Sequence, residues 1–206
     1  RHVRGKRGCK AEALHAAGSA GQEPALAGRC SRGVLFPDWC AVSDTKGVMA
    51  AQTGAFVRQG GVRIVTEAQS INEANGLACG VTLNDGRQLP ADHVVVAAGT
   101  GSRRFFEQLG VRVPLTGISG YQALLPQPDV EFNHSVIYAD GGFCFTPMMR
   151  GLQTGGTIAF AGADATPNFL RAAITLQKAR TLLPHLDVAG KEFVVGSRPF
   201  LLDTLH

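Results

Sequence analysis

Three short runs carry residue types that a binding or catalytic site could use. The first is Val94-Val95-Val96-Ala97-Ala98-Gly99-Thr100-Gly101-Ser102. It is an apolar run that closes in small residues, where a ligand can approach the backbone and meet free N–H groups. An ordinary strand ending in a glycine turn has the same pattern. It is not a full G-x-G-x-x-G, because Arg104 stands where the third glycine would be. The second run is Gly196-Ser197-Arg198-Pro199. An Arg at the end of an apolar strand is costly to bury without a partner, and a carboxylate held in bidentate fashion would be one. A surface Arg or a structural ion pair is the plainer reading. The third is Gly142-Phe143-Cys144-Phe145-Thr146-Pro147. Period two places Cys144 and Thr146 on one face and Phe143 and Phe145 on the other. Either face could line a pocket, or the run could simply pack its aromatics.

Other chemistries find little support. The six His residues (2, 15, 93, 134, 185, 206) show no metal spacing, and no G-x-S-x-G turn is present. Cys144 has no evident His partner for nucleophilic work. The five cysteines, 9, 30, 40, 79 and 144, are odd in number and none are two residues apart. That argues against a disulfide framework and a zinc site, and fits a reducing, cytoplasmic compartment.

The elements around these runs read as α/β. Asp44 or Thr45 can cap a helix over about Lys46–Gln59, with Val48, Ala51, Ala55 and Phe56 at helical spacing and Gly60-Gly61 as the stop. Val62–Val65 then alternates as a strand, completing half of a parallel α/β unit. Asn84-Asp85-Gly86 between Gly80–Leu83 and Arg87–Leu89 signals a hairpin. His93–Gly99 is apolar without alternation and reads as a strand buried on both faces. Upstream, residues 1–21 suggest a poorly ordered segment or a short helix near Ala11–Ala17. Val34–Phe36 suggests a strand, and Pro37-Asp38 a turn. From Pro114 onward the texture is an antiparallel meander: Gly120–Leu125, Ser135–Ala139, Gly142–Thr146 and Thr154–Gly162. Thr166-Pro167 starts a helix to about Leu183 with Phe169, Ala173, Leu176, Ala179 and Leu183 on one face. Glu192–Phe200 is a last strand.

The chain has 206 residues, of which 45% are hydrophobic and only 17% charged, which favours a packed core over disorder. Net charge is +4, yet Arg1, Arg4, Lys6, Arg7 and Lys10 supply five positive charges before any acid, and the remainder carries −1. The basic character therefore belongs to a terminal arm, and no nucleic-acid partner is expected. The apolar run from Val94 is far short of the ~20 residues of a membrane helix. No signal peptide is visible.

Taken in order, the pieces resemble one family: the D-amino-acid oxidase, glycine oxidase and D-amino-acid dehydrogenase group of FAD-dependent oxidoreductases. The resemblance covers roughly Glu23 to Asp203. It is carried by Glu23-Pro24-Ala25-Leu26, the Asp44–Gly61 helix with its following strand, and Ala91–Gly99 with Ser102. Leu109-Gly110, Gly120-Tyr121, Phe145-Thr146-Pro147, Gly155-Gly156-Thr157 and Gly196-Ser197-Arg198-Pro199 complete it.

The resemblance implies an α/β (α+β) fold: the middle of a Rossmann-like FAD domain plus a mostly antiparallel, mixed-sheet substrate domain. The expected divisions are an arm and start of the substrate domain at 1–43, a partial FAD domain at 44–113, the substrate domain at 114–200 and a truncated return at 201–206. Implied FAD contacts are Ala98, Gly99, Ser102 and, through its backbone, Ser70. Arg198 matches the arginine that grips the substrate carboxylate. Cys144 stands where the family usually has Tyr, with Thr146 beside it, and Ser119 stands where relatives commonly have Lys. The implied reaction is hydride transfer from an amino acid Cα to flavin, needing no dedicated acid or base. The implied partner is a small-molecule amino acid substrate, with oxygen or a quinone at the inner membrane as electron acceptor. The resemblance further implies an internal stretch of a longer enzyme, inactive by itself. It lacks the initial G-x-G-x-x-G and the segment that follows Arg-Pro. Alternatives are a related flavoprotein acting on sarcosine, glycine, glycerol 3-phosphate or a hydroxy acid, and a non-catalytic module that pairs through a sheet edge.

Overall fold

The computed structural model describes residues 10–162 and 165–201. The basic run before Lys10 lies outside them, as do Cys9, His2 and the last five residues. The chain divides into two units. The first comprises the described parts of 1–47, 120–158 and 167–196; the second those of 48–119, 159–166 and 197–206.

In the first unit, β1 (Glu12–His15) pairs antiparallel with β2 (Arg32–Leu35), with α1 (Ala16–Gln22) between them. The expected short helix near Ala11–Ala17 is thus displaced to Ala16, and a strand precedes it. Glu12–His15 becomes a strand through a ladder to residues twenty positions away, which local pattern does not reveal. Pro37-Asp38 makes the expected turn, with Trp39 N donating to Phe36 O at 3.1 Å. A five-stranded sheet runs in the order β10-β6-β9-β8-β7. Its members are β6 (Leu115–Leu125), β7 (Val136–Tyr138), β8 (Phe143–Met148), β9 (Gly151–Ala159) and β10 (Glu192–Leu201). Along the chain, β6 and β10 each cross a unit boundary.

One face of this sheet holds the core. Phe143, Phe145 and Leu152 join Ala123, Leu125 and Leu26, packed with Leu176, Ala179, Leu182 and Leu183 of α4 and the residues after it. Phe145 is fully buried and stacks on Phe132 with ring centroids 4.6 Å apart. α4 spans Leu170–Leu182, so the helix does not begin at Thr166-Pro167 as expected. Asn168 is held out of it: its N–H donates to the Tyr121 hydroxyl at 3.1 Å, and its side-chain carbonyl accepts from Leu170 N at 3.2 Å. The buried stripe is Ala172, Thr175, Leu176, Ala179 and Leu182, which leaves Phe169 exposed.

Glu23 anchors the start of this unit. Its buried carboxylate accepts from Asn133 N and His134 N, all at 3.1 Å, and His134 Nδ1 lies 3.5 Å away.

In the second unit, α2 (Thr45–Arg58, its first turn in the first unit) follows the expected signals. Asp44 caps it, its Oδ1 accepting from Gly47 N at 2.9 Å. It ends where Gly60, at φ 92°, donates to Val57 O and Gly61 donates to Phe56 O. Yet none of its residues is buried. The strands expected at Val62–Val65 and His93–Gly99 belong to no ladder, and Gly99 instead opens a 3-10 turn; Val65 is 80% and Val95 88% exposed. A strand needs a neighbour for its backbone groups, and no described strand lies against either run. The sheet here is instead β3 (Ala68–Ala74), β4 (Leu77–Leu83) and β5 (Gln88–Pro90), antiparallel in that order. The Asn84–Gly86 hairpin forms as expected. The β3–β4 turn at Asn75-Gly76, both residues left-handed at φ 53° and 77°, was signalled by its Asn-Gly pair and is an addition to the expected elements.

No helix among the described residues is long and apolar enough to cross a membrane.

Candidate functional site

The second unit brings four of the expected cofactor contacts onto connected elements. Ala98, Gly99 and Ser102 form one turn: Gly99–Gly101 is a 3-10 turn and α3 (Ser102–Gln108) follows it directly. Ser102 is buried, and its Oγ accepts from Ala98 N at 3.1 Å. That bond closes the turn and leaves the hydroxyl proton available. Gly99 is left-handed at φ 58°, and nothing lies within 4 Å of where its Cβ would stand. A Cβ on Gly101 would meet only Ala98 Cβ, at 3.8 Å.

Ser70 is half-buried on β3 opposite Thr82, beside a register shift between Ala68 and Ser70. α3 is latched onto that strand. Arg104 Nη2 donates to Ala68 O at 2.6 Å, its Nη1 lies 2.7 Å from Glu67 Oε1, and Ile71 N donates to Gln108 Oε1 at 3.2 Å. The side chain that breaks the glycine pattern thus clamps α3 to the strand carrying Ser70.

A cleft of about 550 Å³ opens beside this turn, with Thr100, Gly101 and Arg103 on one side and Leu115–Gly117 on another. Open glycine backbone next to a cleft suits a cofactor that must lie close to the main chain, so these residues fit FAD. Arg198 lies in the same unit, on β10, exposed and with no ion-pair partner among the described residues. The costly buried Arg considered from the sequence is not what is found.

In the first unit, Cys144 and Thr146 share the sheet face opposite the core, as their alternation required. Cys144 Sγ donates to Gly155 O at 3.2 Å. Across the β8–β9 ladder, Cys144 pairs with Gly155 and Thr146 with Gln153. Gln153 Nε2 in turn donates to Gln122 Oε1 on β6. Neither glutamine was singled out from the sequence, because only the sheet order places β6 beside β9.

Three thiols differ in setting. Burial, with the Asp140 carboxylate as a lesser cause, pushes the Cys30 thiol up, whereas Cys40 and Cys79 are exposed. Among the described residues no group of three or more His, Cys, Asp or Glu could hold a metal ion.

Comparison with known proteins agrees with the cofactor these residues fit. A D-amino-acid oxidase of Bradyrhizobium diazoefficiens is 26% identical over 188 residues, 89% of this chain and 44% of that protein. A D-amino acid dehydrogenase of Vibrio vulnificus is 29% identical over 194 residues, 88% of this chain and 45% of that protein. The chain therefore spans less than half the length of these curated relatives. Among solved structures, iminodiacetate oxidase from a Chelativorans species superposes with a TM-score of 0.74 at 20% identity, over 93% of this chain and 52% of that one. Glycine oxidase from Bacillus cereus gives 0.72 at 18% identity, over 97% and 56%. These two share the mixed α/β fold of FAD-dependent oxidoreductases. The model of the FAD dependent oxidoreductase family known as DAO matches residues 1–206, and the chain belongs to that family.

Proposed function

We propose that this chain is part of an FAD-dependent oxidoreductase that oxidises the C–N bond of an amino acid, with a D-amino acid as substrate. The observation that carries the reading is Arg198. It is an exposed guanidinium without an ion-pair partner among the described residues, in the Gly-Ser-Arg-Pro run that resembles the family's carboxylate-gripping motif. A guanidinium fork takes both oxygens of a carboxylate and so fixes the orientation of the attached Cα. The names of the two curated relatives support the D configuration.

FAD, when bound, supplies the two-electron acceptor for the hydride that leaves Cα. The turn at Ala98–Ser102 and the backbone at Ser70 would hold it. Ser102 keeps that turn closed, and the latch from Arg104 and Gln108 fixes α3 against β3. Cys144 and Thr146 stand at positions that the resemblance assigns to substrate contact, on the sheet face opposite the first unit's core. The imine left by hydride loss is hydrolysed by water to an oxo acid and ammonium.

We further propose that this stretch alone holds flavin weakly. The second unit leaves Val62, Val65 and Val95 exposed and buries no residue of α2, so the layer that would fix the flavin elements is incomplete among the described residues.

Flavin absorbance and fluorescence test both statements. For the chain as given, weak or absent FAD binding is expected, and stoichiometric tight binding would overturn the second. For the FAD-loaded protein, expressed with whatever flanking sequence its reading frame supplies, D-amino acids are expected to bleach the flavin anaerobically. Arg198→Ala should lower kcat/KM by about 100-fold. Equal bleaching with and without Arg198 would sink the carboxylate role.

A further inference from the structure

On the sheet face that carries Cys144 and Thr146, the side chains form a built arrangement. Thr146 opposes Gln153, and Cys144 opposes Gly155, so the four positions share a face. Gln153 donates to Gln122, which brings β6 into the same strip. Gly155 makes the space: a Cβ there would stand 2.8 Å from Gln122 Cγ. The strip therefore presents two half-buried carboxamides, a hydroxyl and a thiol, with no formal charge among them.

We propose that Gln122 and Gln153 select the substrate side chain, and that the substrate class is an amino acid with a neutral hydrogen-bonding side chain, a carboxamide or a hydroxyl. This rests on the reading of Cys144 and Thr146 as substrate-facing. The bond between the two amides uses one N–H of Gln153 and one lone pair of Gln122. Both N–H groups of Gln122 and the carbonyl of Gln153 remain for a ligand. A purely apolar side chain docked against them would leave half-buried amide groups without partners, which a site made for hydrogen bonding disfavours strongly. An acidic or basic side chain would find no opposite charge on the strip. The Gln122–Gln153 bond also holds both amides in place, so little rotamer freedom is lost when a ligand arrives.

The test uses the FAD-loaded protein and size-matched pairs of D-amino acids: Thr against Val, Asn against Leu, Gln against Met. The wild type is expected to favour the hydrogen-bonding member of each pair by about tenfold or more in kcat/KM. Gln122→Met and Gln153→Met keep the side-chain length and lose the amide. Each is expected to bring the ratios to within about threefold of unity, with kcat/KM for D-valine rising as the unpaired amide is removed. Gln122→Glu keeps an acceptor toward Gln153 Nε2 and adds a charge, and it should shift preference toward D-lysine by about tenfold. Should a Met variant lose its flavin spectrum, the preference of Gln122→Glu decides. Wild-type ratios near one, or ratios unchanged in folded variants, overturn the proposal alone. Failure of every amino acid to bleach the flavin overturns the amino-acid reading and this proposal together.

Discussion

The two units use the same kinds of residue to opposite effect. In the first, Phe143, Phe145 and Leu152 of the sheet meet Leu176, Ala179 and Leu182 of α4, and the contact is dry. In the second, Val48, Met49, Phe56 and Val57 of α2, with Val62, Val65 and Val95 of the two unpaired runs, stay in water. Apolar content does not distinguish them; a second layer does. A strip of valines becomes a core only when another surface removes its water, and the burial is then worth about 25 cal/mol per Å².

The contrast predicts where substitutions count. Phe145→Ala should cost the first unit about 3–5 kcal/mol, since it empties a fully buried site where the ring stacks on Phe132 and meets Phe143 edge to face. Urea unfolding followed through Trp39, the sole tryptophan and a residue of that unit, would measure it. A loss under 1 kcal/mol would mean that the first unit is no better packed than the second. Glu23→Ala strips Asn133 and His134 of their shared acceptor and should cost about 2 kcal/mol in the same assay. Thiol chemistry gives a smaller and independent contrast. The folded Cys30 thiol is held protonated past its ordinary range, so between about pH 8 and 9 it should alkylate at least about tenfold more slowly than Cys40 or Cys79. Because the raised value favours the protonated form in the fold, its contribution to stability is full below the unfolded thiol's pKa. That contribution declines as pH rises through the folded one. Mass spectrometry of timed alkylation reads the rates, and equal rates would remove the contrast. Val95→Thr should change stability by less than about 0.5 kcal/mol while reducing light scattering at high concentration. A larger loss of stability would show that Val95 is covered in solution.

Much of the fold was legible where short-range chemistry decides it. Asp44 and Gly60-Gly61 delimit α2 through bonds within three to five residues, and Asn84-Asp85-Gly86 turns its hairpin the same way. The alternation of Phe143–Thr146 gave the two faces of β8. Legibility ended where distant segments decide. Glu12–His15 is a strand because of Arg32–Leu35. The start of α4 is set by Tyr121, forty-seven residues from Asn168. Val62–Val65 and His93–Gly99 have strand composition, but pairing belongs to the neighbour, not to the run. The candidate site divides likewise. Ala98, Gly99 and Ser102 were named through the family resemblance, and the turn that joins them is local. Gln122 and Gln153 are thirty-one residues apart and meet only through the sheet order.

α2 is finished at both ends although none of its residues is buried. An aspartate closes its first turn and a glycine pair its last, so its fourteen residues are already wound, with Val48, Met49, Phe56 and Val57 exposed. Ordering a backbone costs about 1–2 kcal/mol per residue, and for this helix that cost falls at folding and not at docking. Any surface that covers these side chains meets a helix already formed. It keeps nearly the whole gain from displaced water, as a preorganised binder does.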